Sequence, residues 1–200
     1  MRIKDKIKRP RRPVVAYEIL PPREKDGTLN SYAENISSLL SQTHIDAINI
    51  PEVRDEIARG ERPIKNQVRA EPREFGKLLQ DIVGIEAIVN RVVVHQNIED
   101  EMKWLEETNS KYDIENLITV GGESRNIRYP GPTVNQALNA ISQNDRLNLL
   151  CGGISIPSRE KESLRLIEKS ENGSEFFTTQ VLYDASKVIK MITHYQKRCD

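Results

Sequence analysis

Cysteine is scarce: the 200 residues contain only Cys151 and Cys199. Neither sits in a CxxC or Cys/His spacing, so no structural zinc site is expected, and two thiols make no disulfide framework. A run of about 18 apolar residues, the length a membrane span needs, is also missing. The N-terminus is basic but lacks the apolar stretch of a secretory signal. A reducing, cytoplasmic setting away from membranes is therefore expected. Charge of one sign is absent too: 30 Lys and Arg cancel 30 Asp and Glu, which argues against a nucleic-acid partner. No GxGxxG follows the first apolar run, which weakens a dinucleotide-fold reading. No lysine falls on an expected strand, which argues against a Schiff-base aldolase-like lyase.

What is present is a soluble balance, 37% hydrophobic and 30% charged, enough for one domain with a core and no sign of general disorder. Residues 1–13 (MRIKDKIKRPRRP) carry seven Lys or Arg and two prolines. They are expected to form a flexible, solvated basic arm, or one that holds an anionic ligand or partner. The domain proper then spans 14–200.

Within it, short apolar runs alternate with helical spacing. The expected strands are 14–20, 47–50, 87–94, 117–120, 147–156 and 176–183. Between them, apolar residues recur at three and four. Examples are Leu29, Tyr32, Ile36, Leu39 and Leu40, then Phe75, Leu78, Leu79 and Ile82. A polar stretch covers 51–71. Strand–helix units near 30 residues long imply a parallel sheet covered by helices. Such a sheet closes as a barrel or stays open as a doubly wound fold, and six units are too few for a standard eight-stranded barrel.

Ligands of parallel α/β folds gather at the carboxyl ends of strands. The polar residues there are Glu18, Asn49, Glu52, His95, Gln96, Glu123, Ser155, Gln180 and Asp184. Glu18 lies in an apolar run. A carboxylate there is costly unless paired or protonated, and burial raises a carboxyl pKa toward what a general acid needs. A structural ion pair is the alternative. Gly121 and Gly122 end the fourth run and either admit a ligand to the backbone or make an ordinary turn. Gly152 and Gly153 read as a bulge. Gln180 offers a donor and an acceptor to a heterocycle edge, while Thr178 and Thr179 read as inward-facing packing. His95 reads as a satisfied polar residue and Trp104 as helix-to-sheet packing.

Several of these segments, in this order, resemble the flavin-dependent methylenetetrahydrofolate reductase family. The likeness rests on Tyr17-Glu18-Ile19-Leu20-Pro21-Pro22 against an F-E-F-F-P-P opening, and on Gly121-Gly122-Glu123 against R-G-D. It also rests on Phe176-Phe177-Thr178-Thr179-Gln180, followed by Tyr183-Asp184, against F-x-x-T-Q and an aromatic-Asp pair. Ile156-Pro157-Ser158-Arg159-Glu160 is similar to the family's helix entry after strand five. In this chain Gly121 replaces the family's Arg, Pro51-Glu52-Val53 replaces a T-Y-G-like turn, and Arg91 falls near a family histidine.

The resemblance implies a (β/α) TIM-barrel type of fold, here about six of eight units, with FAD at the strand carboxyl ends. It implies reduction of 5,10-methylenetetrahydrofolate, or a related methylene-pterin, to the 5-methyl form. Glu18 is then the general acid, Gln180 and Glu123 bind the pterin, and Gly122, Glu123, Tyr129 and Lys169 lie near the flavin. The electron donor is left open between a nicotinamide and a protein partner. Because the sheet is short of strands, an oligomer or partner subunit is expected. A non-catalytic pterin- or flavin-binding relative, or a subunit of a larger one-carbon complex, is the alternative.

Overall fold

The computed structural model describes residues 2–54, 68–124 and 126–199; most of the polar stretch expected over 51–71 lies outside them. The elements run α1 Ile3–Lys8, β1 Ala16–Glu18, α2 Leu29–Leu40, β2 Ala47–Pro51, α3 Pro72–Val83, β3 Ala87–Val92 and α4 Ile98–Ser110. They continue β4 Asn116–Val120, α5 Val134–Ser142, β5 Leu150–Ser155, α6 Glu162–Glu171, β6 Phe176–Thr179 and α7 Ala185–Cys199. The helix starts follow local chemistry. Thr28, Glu71, Asn97 and Thr133 each accept a backbone N–H from the first turn of the helix that follows.

All six strands are parallel and pair in sequence order, β1 to β6. In a flat sheet the outer two would stand about 24 Å apart, five spacings of about 4.8 Å. Here Ala16 on β1 and Thr178 on β6 line one cavity, so the sheet is curled into a half-barrel. This is the incomplete β/α barrel expected. Neither β1 nor β6 pairs on its outer edge among the described residues.

Strand alternation sorts the side chains. Ile48 and Ile50 face outward onto Phe75 and Leu79 of α3, and Leu117 and Cys151 onto Leu105, Leu138 and Ile141 of α4 and α5. Ala47, Ile88, Ile118 and Leu150 face inward. Gly152 is inward as well, and it has to be glycine: a Cβ there would lie 2.5 Å from the Phe176 ring that crosses it.

The basic arm differs from expectation. Ile3–Lys8 is a helix, and Ile3, 1% exposed, joins the inward core of the barrel with Ile7 against it. The arm's cations meet carboxylates placed just before strands: Arg2 with Glu86 and Glu115, Lys6 and Arg12 with Asp46, Lys8 with Glu175. Asp46 also accepts the Val15 N–H at 2.9 Å. That bond, with Lys6 and Arg12, outweighs burial and holds the Asp46 carboxyl at about 2. The anionic partner of the arm is thus the amino-terminal rim of the chain's own sheet.

Four of the expected strands are shorter than their apolar runs, β1 and β6 most of all. β1 covers three residues of 14–20, and β6 stops at Thr179 instead of continuing to Tyr183. Val181, Leu182 and Tyr183 are exposed, beyond the last pair of the β5–β6 ladder, Ser155 with Thr179.

Candidate functional site at the carboxyl end of the half-barrel

The inward positions of all six strands converge on a cavity of about 630 Å³. Ile88, Ile118 and Ile154 make an apolar floor, and Glu18, Asn49, Asn90, Thr178 and Gln180 bring polar groups to the same space. Its size suits a small organic ligand. The registers explain the convergence. Glu18 sits opposite Asn49, Asn90 opposite Ile118, and Thr178 opposite Ile154, so each pair shares the inner face.

Glu18 and Gln180 therefore line one cavity, as the family likeness implies. The expected desolvation of Glu18 is not found. β1 is an edge strand, every residue of it is exposed, and the carboxylate accepts a hydrogen bond from Asn49 Nδ2 at 2.8 Å. Gln180 lies at the rim, exposed, with its backbone N–H bonded to Ser155 O. Glu123 is half-buried in the loop after β4 and is not part of the lining shared by Glu18 and Gln180.

Sequence reasoning missed Asn90. Its neighbours in AIVNRV are apolar apart from Arg91, yet alternation sends Asn90 into the barrel and Arg91 outward. Asn90 is 9% exposed, and its Oδ1 has no hydrogen-bond partner among the described residues. Asn49 Oδ1 is buried and unpartnered in the same way, because Nδ2 of that amide is the group committed to Glu18. A buried acceptor left unmade costs about 1–3 kcal/mol. The cavity thus carries the Glu18 carboxylate above an apolar floor, with two unpartnered amide oxygens buried in its wall.

Arg91, near the place of a family histidine, belongs to the helix-covered face. It forms a forked pair with Glu101 and bonds Glu52 at 2.9 Å. Burial works against its charge, but the bonds and attraction from Glu101 and Glu52 prevail and raise its pKa. Trp104, expected as packing, lies between two guanidinium groups, 4.2 Å from Arg73 and 4.3 Å from Arg91. Glu52 also accepts the Val92 N–H, so it is used in fixing β2 to β3.

The positions carried over for a flavin are filled by the chain itself. A Cβ on Gly122 would lie 2.1 Å from the Tyr129 ring, so the room left by that glycine is taken by Tyr129. His95 packs edge-on against the same ring at 5.6 Å. Lys169 runs along the outer face of β5, its Cδ beside Gly153, and donates to the Ile154 carbonyl. Burial lowers its pKa. These residues as arranged do not offer an isoalloxazine ring and its phosphates one open surface, and no chemical step is derived through a flavin.

No protein family and no curated protein matches the sequence. Several solved structures share the fold. A protein of Clostridium thermocellum that binds two copies of 5-methyl-5,6,7,8-tetrahydrofolic acid superposes with a TM-score of 0.75 at 22% identity. The match covers 98% of this chain and 64% of that one, so this chain spans less than two thirds of its length. The 4-hydroxy-tetrahydrodipicolinate synthase of Methylacidiphilum fumariolicum SolV gives 0.54 at 18% identity, over 91% of this chain and 58% of that one. A mandelate racemase/muconate lactonizing protein of Paracoccus denitrificans PD1222 gives 0.54 at 7%, over 92% and 44%. At these identities the likeness establishes the fold: this chain is an incomplete β/α barrel, an architecture it shares with enzymes.

Proposed function

We propose that this chain binds a reduced folate, with the pterin ring in the mouth of the half-barrel. The observation that carries the reading is the pair of unpartnered amide oxygens of Asn49 and Asn90 beside the Glu18 carboxylate. The 2-amino-4-oxo pyrimidine half of a reduced pterin is flat, with an edge rich in N–H donors. The pterin's rings would cover Ile88, Ile118 and Ile154, and a turn of either amide toward the cavity would bring its oxygen onto those N–H groups. The folate bound by the Clostridium thermocellum protein of like fold agrees with this choice of ligand. Calorimetric titration with 5-methyltetrahydrofolate tests it. Saturable binding is expected, weakened about 10-fold or more by Glu18→Gln, since a hydrogen bond to a charged group contributes about 1.5–3 kcal/mol. Equal affinity in the wild type and the variant would remove Glu18 from the site.

A second reading adds FAD and makes the chain a methylenetetrahydrofolate reductase-like oxidoreductase. It is favoured by Glu18 and Gln180 sharing one cavity. When bound, the flavin supplies the hydride chemistry. Glu18 and Gln180 would hold the pterin. Flavin binding requires Tyr129 to leave Gly122. Incubation with FAD, desalting and a visible spectrum decides it: a retained flavin band supports the reductase, and a colourless protein that still binds the folate leaves a pterin-binding module.

A further inference from the structure

The arm grips the sheet at more points than an anchored terminus needs. Its cations meet Asp46, Glu86, Glu115 and Glu175, and each of these is the residue immediately before a strand: β2, β3, β4 and β6. The same four residues carry rungs of the ladder. The Asp46 N–H donates to Val15 O and the Glu175 N–H to Cys151 O, while Glu86 O accepts from the Ile48 N–H and Glu115 O from the Leu150 N–H. A carboxylate held by the arm therefore sits on a backbone bond between two strands. Two contacts reach across the opening. Lys6 Nζ lies 3.0 Å from Asp46 at the entrance of β2, and Lys8 pairs with Glu175 at the entrance of β6. These lysines stand about 3 Å apart along the helix axis, yet β2 and β6 are four places apart in the sheet.

α1 is thus a chord across the arc. A closed barrel has no edges, and its ring of ladder bonds fixes its girth. Here β1 and β6 each pair on one side only among the described residues, so ladder bonds alone leave the distance between them unset. The chord supplies that constraint, and its effect reaches the cavity by two routes. Ala16 and Glu18 line the cavity from β1, and Thr178 and Thr179 from β6, so its width follows the separation of the edges. Ile3 shares one apolar cluster with the floor residues Ile88 and Ile118. An arm that merely covered apolar surface would need Ile3 but no pair to β6.

We propose that the arm is a strap: by tying the entrance of β2 to that of β6, it keeps the sheet curled and sets the width of the cavity between β1 and β6. Lys8 and Glu175 are both partly exposed, so the clasp at β6 opens without leaving a charge buried.

The test places nitroxide labels at Tyr17→Cys on β1 and Tyr183→Cys beyond β6, both exposed, and reads their separation by pulsed electron resonance without ligand. Cys199→Ser removes one native thiol, and Cys151 stays unlabelled because it is buried and its thiol is pushed up to about 12. Lys8→Glu in this background should lengthen the separation by about 5 Å, one strand spacing, and the exchanged pair Lys8→Glu/Glu175→Lys should restore it. The milder Lys8→Gln should move it in the same direction. Titration of the unlabelled variants with 5-methyltetrahydrofolate is the one measurement that depends on the folate reading above. It should show an affinity loss of about two- to fivefold in Lys8→Glu and recovery in the exchanged pair. An unchanged separation in both Lys8 variants, or one that the exchanged pair fails to restore, overturns the strap. A changed separation with unchanged affinity overturns its hold on the cavity. A changed and restored separation with no folate binding by the wild type overturns the folate reading and keeps the strap.

Discussion

Asn90→Leu separates the two roles of the buried amide. In the free protein, Asn90 Oδ1 is buried with no hydrogen-bond partner among the described residues, next to Ile88 and Ile118. An unmet buried acceptor costs about 1–3 kcal/mol, and leucine has nearly the same shape without it. Asn90→Leu should raise stability by about 1 kcal/mol, or about 2–4 °C in Tm for a chain of this size. The ligand meets the opposite sign. A pterin N–H that loses its acceptor is buried unmet, and affinity should fall by about 1–3 kcal/mol, roughly 5- to 150-fold. Thermal unfolding and calorimetric titration of the same samples measure both. A lower Tm with unchanged affinity would refute the reasoning, since it would make Asn90 a satisfied structural amide.

Other consequences follow from the packing. Glu101→Gln leaves the Arg91 guanidinium buried with a weakened partner, and urea unfolding should show a loss of about 3–5 kcal/mol. Gly152→Ala drives a methyl group into the Phe176 ring and should destabilise by about 1–3 kcal/mol, read from the urea midpoint at unchanged slope. Asp46 has a folded pKa of about 2 against an unfolded value near 3.9. Its contribution is therefore fully present above about pH 4 and is lost as the pH falls toward 2. Hydrogen exchange of α1 should accelerate across that window in the wild type and already be fast at neutral pH in Asp46→Asn.

Much of the fold is legible in the sequence because a buried parallel strand needs a mostly apolar run, and all six runs became strands. Their ends are less legible. Val181, Leu182 and Tyr183 are as apolar as a strand, but pairing needs a partner, and β5 ends at Ser155 opposite Thr179. The arm is hard to read because its seven cations mask Ile3 and Ile7, whose i, i+4 spacing is the available signal; their burial depends on a rim of carboxylates scattered between Asp46 and Glu175. Glu18 and Gln180 could be found from their motifs, yet the exposure of Glu18 could not, since it follows from β1 lying at the open edge. Asn90 and Arg91 were a polar pair inside a strand. Period-two alternation says that one faces the barrel and the other the helices, but only the register tells which.

The most direct test is the titration of purified protein with 5-methyltetrahydrofolate, monitored alongside Asn49→Leu and Asn90→Leu. The account predicts saturable binding to the wild type that either substitution weakens several-fold. Absence of binding, or binding that survives loss of both amides, would contradict it.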